Sequence, residues 1–79
     1  MARWVWFERV TDWHDRIVAP ACVDAEAVVL LESGKTTGGQ VVVSVSTGGG
    51  ICLLVLGEDM KAVAEELGIP YYGWAKIGR

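Results

Sequence analysis

Asp12, His14 and Asp15 place two carboxylates around the sole imidazole of a 79-residue chain. A carboxylate beside an imidazole can raise its pKa and make a proton shuttle. The same side chains could ligate a metal, but a structural zinc site takes four ligands, drawn mainly from Cys and His. With one histidine, the stretch reads instead as a solvated turn whose polar residues bond their own backbone. Cys22 follows His14 by eight residues and would need a positioned base to act as a nucleophile. Pro20 and small apolar neighbours give it a structural character. Ser33-Gly34-Lys35-Thr36 carries the closing residues of a phosphate-binding loop. The full motif also needs a glycine where Val29 stands, and a helix directly after Thr36. Thr37-Gly38-Gly39 opposes that helix, so the segment reads as a turn. Sequence therefore predicts no catalytic residue, cofactor or metal site. The chain is not expected to be an enzyme.

Charge and aromatic content point elsewhere. Seven Lys and Arg stand against ten Asp and Glu, a formal net charge of -3. That balance disfavours direct nucleic-acid binding, which needs clustered cations to replace phosphate counterions. Glu58, Asp59, Glu65 and Glu66 concentrate carboxylates near one helix, and Asp12 and Asp15 flank Trp13. Four tryptophans (Trp4, Trp6, Trp13 and Trp74) join Phe7, Tyr71 and Tyr72. A small core cannot easily hide so many rings, and Trp and Tyr are favoured interface anchors. A satellite aromatic cluster joining the two termini is the competing reading of the same residues.

These groups must be positioned by one small domain spanning residues 1–79, in which every apolar segment counts toward the core. Twelve valines concentrate between Val5 and Val63, the composition of pleated, half-buried surface. Trp4 to Phe7 predicts a strand with alternate side chains on opposite faces; if Val5 and Phe7 turn inward, Trp4 and Trp6 turn outward or onto the C-terminal aromatics. Arg16 to Ala19 predicts a short partner strand that Pro20 ends. Further strands are predicted at Ala27–Glu32, Gln40–Ser46 and Ile51–Leu56. Val41, Val43 and Val45 lie on one side of the second, and Val42, Ser44 and Ser46 on the other. The third is continuously apolar, as in a strand covered on both faces. Gly48, Gly49 and Gly50 predict an antiparallel hairpin between the last two.

Met60, Val63, Ala64 and Leu67 follow helical spacing and form one apolar stripe. Glu58 and Asp59 fall in the first turn of that helix, Gly68 caps it, and Pro70 prevents continuation. Tyr71 to Ile77 predicts an edge strand closing over the core. The fold class is α+β: a small antiparallel sheet of four or five strands, with one helix over about 58–67 packed on one face.

Cys22 and Cys52 each have apolar neighbours and are expected to be buried free thiols in a reducing cytosol, with a single bridge between them left open. The N-terminus has no unbroken apolar core and does not read as a signal peptide. The 22 residues from Thr36 to Gly57 lack formal charge but include six glycines, so they predict a hairpin rather than a membrane span.

Two resemblances add functional expectations. Ile17-Val18-Ala19-Pro20, then Val43-Ser44-Val45-Ser46-Thr47-Gly48, then Leu53-Leu54-Val55 and an acidic helix start resemble the FlbD-type flagellar regulators. Here Ala19 replaces the usual Asn before proline, and the Trp-rich start and aromatic tail are additions. That resemblance implies a small regulator or adaptor acting by protein contact. The second is a resemblance of type. A compact acidic chain with a small sheet, a helix and no active site resembles the phage-encoded anti-CRISPR proteins, chiefly those acting on type I systems, type I-C among them. It implies a non-enzymatic inhibitor that binds the Cas surveillance complex (Cascade) in the host bacterial cytoplasm and blocks target DNA.

The candidate partner-binding residues are Asp12, Trp13, Asp15, Glu58, Asp59, Glu65 and Glu66. Cas complexes hold nucleic acid in positively charged channels, which an acidic surface complements. No membrane contact is expected, and the chain is expected to be a monomer or weak homodimer.

Overall fold

A computed structural model describes residues 2–69. The chain has an α+β fold: five antiparallel strands in one sheet, ordered β2-β1-β5-β4-β3, with one helix. The strands are β1 (Trp4–Thr11), β2 (Val18–Asp24), β3 (Val28–Lys35), β4 (Val41–Thr47) and β5 (Cys52–Leu56). A 3-10 turn (Ala25–Ala27) links β2 to β3, and α1 spans Met60–Leu67. The predicted edge strand at Tyr71–Ile77 lies outside the described residues.

Alternation decides which side chains the helix covers. Phe7 on β1, Val23 on β2, Leu31 on β3, Val43 and Val45 on β4 and Val55 on β5 face Val63, Ala64 and Leu67 of α1 in one buried cluster. Fully burying each Val or Leu contributes about 1.5–3 kcal/mol. Asp59 precedes the helix rather than lying within its first turn: its carboxylate accepts from the Ala62 N–H at 2.8 Å, as the N-cap. Gly68 ends it at φ 74°, and its N–H reaches the carbonyls of Ala64 and Glu65.

Several expectations change. β2 does not end at Pro20 but runs through it to Asp24. Ala25 N–H donates to the Arg3 carbonyl at 2.8 Å, continuing the ladder. Antiparallel alternation then turns the backbone of Val23 and Ala21 toward β1 and that of Cys22 and Pro20 outward. The missing N–H of Pro20 therefore costs the sheet nothing. The register also shifts between Phe7 and Val10, a bulge on β1 opposite the proline. β3 continues through Ser33, Gly34 and Lys35, so the phosphate-loop look-alike is strand rather than turn, with Gly34 paired to Val42.

Val42 and Ser44, on the side of β4 away from Val43 and Val45, are also buried. Val42 joins Leu54 and Leu56 in a second small cluster on the sheet face away from α1. β5 is thus covered on both faces, as its continuous apolar run requires. Cys22 and Cys52 are free but exposed rather than buried: one lies on the edge strand β2, the other opens β5. Thr36 to Gly57 forms turns and the β4–β5 hairpin, and no described helix is long and apolar enough to cross a membrane.

Candidate docking surface

Because Phe7 is buried, alternation along β1 turns Trp4 and Trp6 away from the helix. Both are 63% exposed. They stand two residues apart on one face, opposite Asp24 and Cys22 of β2. The Asp24 carboxylate accepts from the backbone N–H of Arg3 and of Glu26, each at 3.0 Å. Those bonds, the Arg3 N–H foremost, hold its carboxyl below the usual range. Arg3 in turn donates its guanidinium to the Leu67 carbonyl at 2.6 Å, tying β1 to the end of α1.

The turn from Asp12 to Arg16 is built from its own polar groups. Asp12 accepts from the backbone N–H of His14 and of Arg16, both at 3.0 Å, and from the Arg16 side chain at 3.1 Å. The Arg16 backbone bond is the leading cause of its lowered pKa. Asp15 sits in left-handed geometry at φ 58°. Its carboxylate accepts from the Thr36 hydroxyl at 2.6 Å, the Gly38 N–H at 2.9 Å and the Gln40 amide at 2.8 Å. The Thr36 hydroxyl is the main reason its pKa is lowered. The Thr37 N–H also donates to the Trp13 carbonyl at 2.8 Å. Trp13 lays the end of its ring against Gly34, where an added Cβ would lie 3.6 Å from the indole, and 45% of the residue stays exposed.

The seven sequence-predicted residues therefore fall into two groups. Asp12, Trp13 and Asp15 share one turn, but both carboxylates are occupied by hydrogen bonds within the chain. Glu58, Asp59, Glu65 and Glu66 surround α1 with only Lys61 as a cation within the helix. Glu58 and Glu66 meet: a hydrogen bond between the two carboxyl groups, with burial and charge repulsion, pushes Glu58 up to about 7. The convergence arises because Glu58 precedes the helix and is not bound by its spacing.

Sequence reasoning left Trp4 and Trp6 out of the candidate set. The signal was strand alternation, which sets both indoles on the face opposite Phe7; the alternative reading, packing onto the C-terminal aromatics, lies outside the described residues.

Among the described residues, no group of three or more His, Cys, Asp or Glu is arranged to hold a metal ion. A groove of about 200 Å³ beside the turn is lined by Val10, Thr11, Asp12, Ile17, Ala19, Pro20 and Ala21, so neither His14 nor Cys22 contributes to it. No protein family, curated protein or solved structure matches the chain.

Proposed function

We propose that this protein is a non-enzymatic inhibitor that works by adhesion to a protein partner. The pair of outward indoles on β1 carries the reading: two large rings 63% exposed on one rigid strand form a ready anchor for a desolvated contact. The carboxylates of Glu58, Asp59, Glu65 and Glu66 supply a second, anionic surface that steers toward a cationic partner. The partner implied by the anti-CRISPR resemblance is a type I Cas surveillance complex, whose nucleic-acid channels are positively charged. Occupying such a channel would exclude target DNA without any bond being made or broken.

The test is a pull-down against purified type I Cas complex, followed by competition with target DNA. The wild-type chain should be retained and should displace DNA. Trp4→Ala/Trp6→Ala should abolish retention, and Glu65→Lys/Glu66→Lys should weaken it while the fold survives. A wild-type chain that neither binds nor competes overturns the assignment of partner. Undiminished retention of both double variants overturns the assignment of surface.

A further inference from the structure

We propose that β3 is a dimerisation edge, pairing antiparallel with β3 of a second copy to join two five-stranded sheets into one. Among the described residues the sheet has two edges, and they differ. β2 is blunted by Pro20, which offers solvent no donor, and by the bulge opposite it; both are devices that keep sheet edges from pairing. β3 has no proline. Its one irregularity lies at its start, between Val28 and Leu30, and from Leu30 to Lys35 the register against β4 is unbroken.

Hydrogen bonding fixes which backbone groups are open. The Thr36 N–H donates to the Gln40 carbonyl at 2.9 Å, which makes this the bonded kind of antiparallel pair. Alternation then turns Glu32 and Gly34 toward β4, and the N–H and C=O of Leu31, Ser33 and Lys35 off the sheet. Three residues with both groups facing one way form a template for a further antiparallel strand.

The strand complements itself. A two-fold axis through Ser33 sets Ser33 against its own equivalent and Leu31 against Lys35 of the second copy. Every outward residue then meets an outward residue. Glu32 falls opposite Gly34 rather than its own copy, so like charges are not directly opposed, and the aliphatic stem of Lys35 lies along Leu31. Such a contact uses one patch twice, as two-fold interfaces do.

The start of the strand supplies apolar area. Val29 is 69% and Leu30 48% exposed, and Val28 to Leu31 with Ile69 line an apolar groove of about 320 Å³. In this register Thr36 of the second copy, the last residue before the turn, falls opposite Leu30 beside the groove. One strand pair of this length falls below roughly 1,200 Å² of buried surface, the size range of weak and transient contacts.

Sedimentation equilibrium from low micromolar to millimolar protein tests this, with amide hydrogen exchange at both extremes. The average mass should climb from that of one chain toward twice that value. Protection at Leu31, Ser33 and Lys35 should rise with it. Ser33→Pro removes an outward donor without touching the β3–β4 ladder, and Leu30→Lys charges an exposed position. Either variant, folded by circular dichroism, should stay monomeric throughout. A wild-type chain still monomeric at millimolar concentration overturns the proposal. So does protection of those amides that is independent of concentration, which would mean the chain covers its own edge. A dimer that survives Leu30→Lys places the contact elsewhere and equally overturns it.

Discussion

The two faces of the sheet are fastened in different ways. On the helix side, Val63, Ala64 and Leu67 are completely buried against β1, β3, β4 and β5 residues, and apolar contact joins the layers, with one hydrogen bond from the Arg3 guanidinium to the Leu67 carbonyl at the end of the helix. On the other side, Val42, Leu54 and Leu56 are buried, but the neighbouring turn is pinned to residues 36–40 by one carboxylate with three donors. Apolar burial scales with area and tolerates small displacements. A carboxylate clasp depends on one residue held at φ 58°, in a region that few side chains adopt freely. Beyond the clasp the same face is bare at Trp4 and Trp6. One face is therefore covered by the helix, and the other leaves two rings exposed.

The sharpest way to break this contrast is to charge the covered face. Val63→Asp puts an unpaired carboxylate at a position with no exposure, and should leave the chain unfolded by circular dichroism at neutral pH. A cooperative, wild-type-like melt would mean that the helix does not cover this face. Met60 is a milder site, since it is only partly buried and begins the helix, where a carboxylate favours the dipole.

Removing the clasp should have a smaller effect. Asp15→Ala loses three acceptor bonds and leaves alanine in left-handed geometry, so its melting temperature should fall. Asp15→Asn keeps an oxygen acceptor and tolerates that backbone, and should fall less. The acid limb distinguishes the roles. The folded-state pKa values of Asp12, Asp15 and Asp24 are depressed. Their contribution is thus present above the unfolded aspartate pKa of about 3.9 and is lost as pH falls through the folded values. Asp15→Asn should shallow that loss. An acid limb identical to wild type would show that the clasp does not hold in solution.

How much of this was legible in the sequence follows the same division. The helix and its Gly68 cap, the buried stripe and the two-sided burial of β5 all rest on periodicity or on one residue type, so they could be read directly. The covering of Val42 could not, because alternation assigns it to a side of β4 without saying what packs there, and it is buried with Leu54 and Leu56 of the neighbouring strand. Pro20 misled for a related reason: proline ends pairing only when its nitrogen faces a neighbour, and an edge strand lets it face solvent. Of the candidate site, the acidic helix surface was legible, whereas the internal use of Asp12 and Asp15 was not. That Trp4 and Trp6 share the face opposite Phe7 was legible from strand alternation.

A smaller effect separates the two carboxylate groups. Glu58 is raised to about 7, so its contribution to stability is complete below the usual glutamate range near 4.5 and is lost as pH rises through 7. Glu58→Gln keeps a donor toward Glu66 without titrating. Its melting temperature should exceed that of wild type at about pH 8 and lose that advantage near pH 5. Parallel profiles across that range would show that Glu58 and Glu66 do not meet.

The smallest effect on stability should come with the largest effect on binding, and this tests the central claim most directly. Trp4→Ala/Trp6→Ala removes side chains that are mostly exposed, so unfolding free energy should stay within about 0.5 kcal/mol per site. Affinity for the purified type I Cas complex, measured by calorimetric titration, should fall at least ~30-fold, the equivalent of about 2 kcal/mol at an interface hot spot. A folded double variant that binds as tightly as wild type would contradict the claim that these two rings are the anchor.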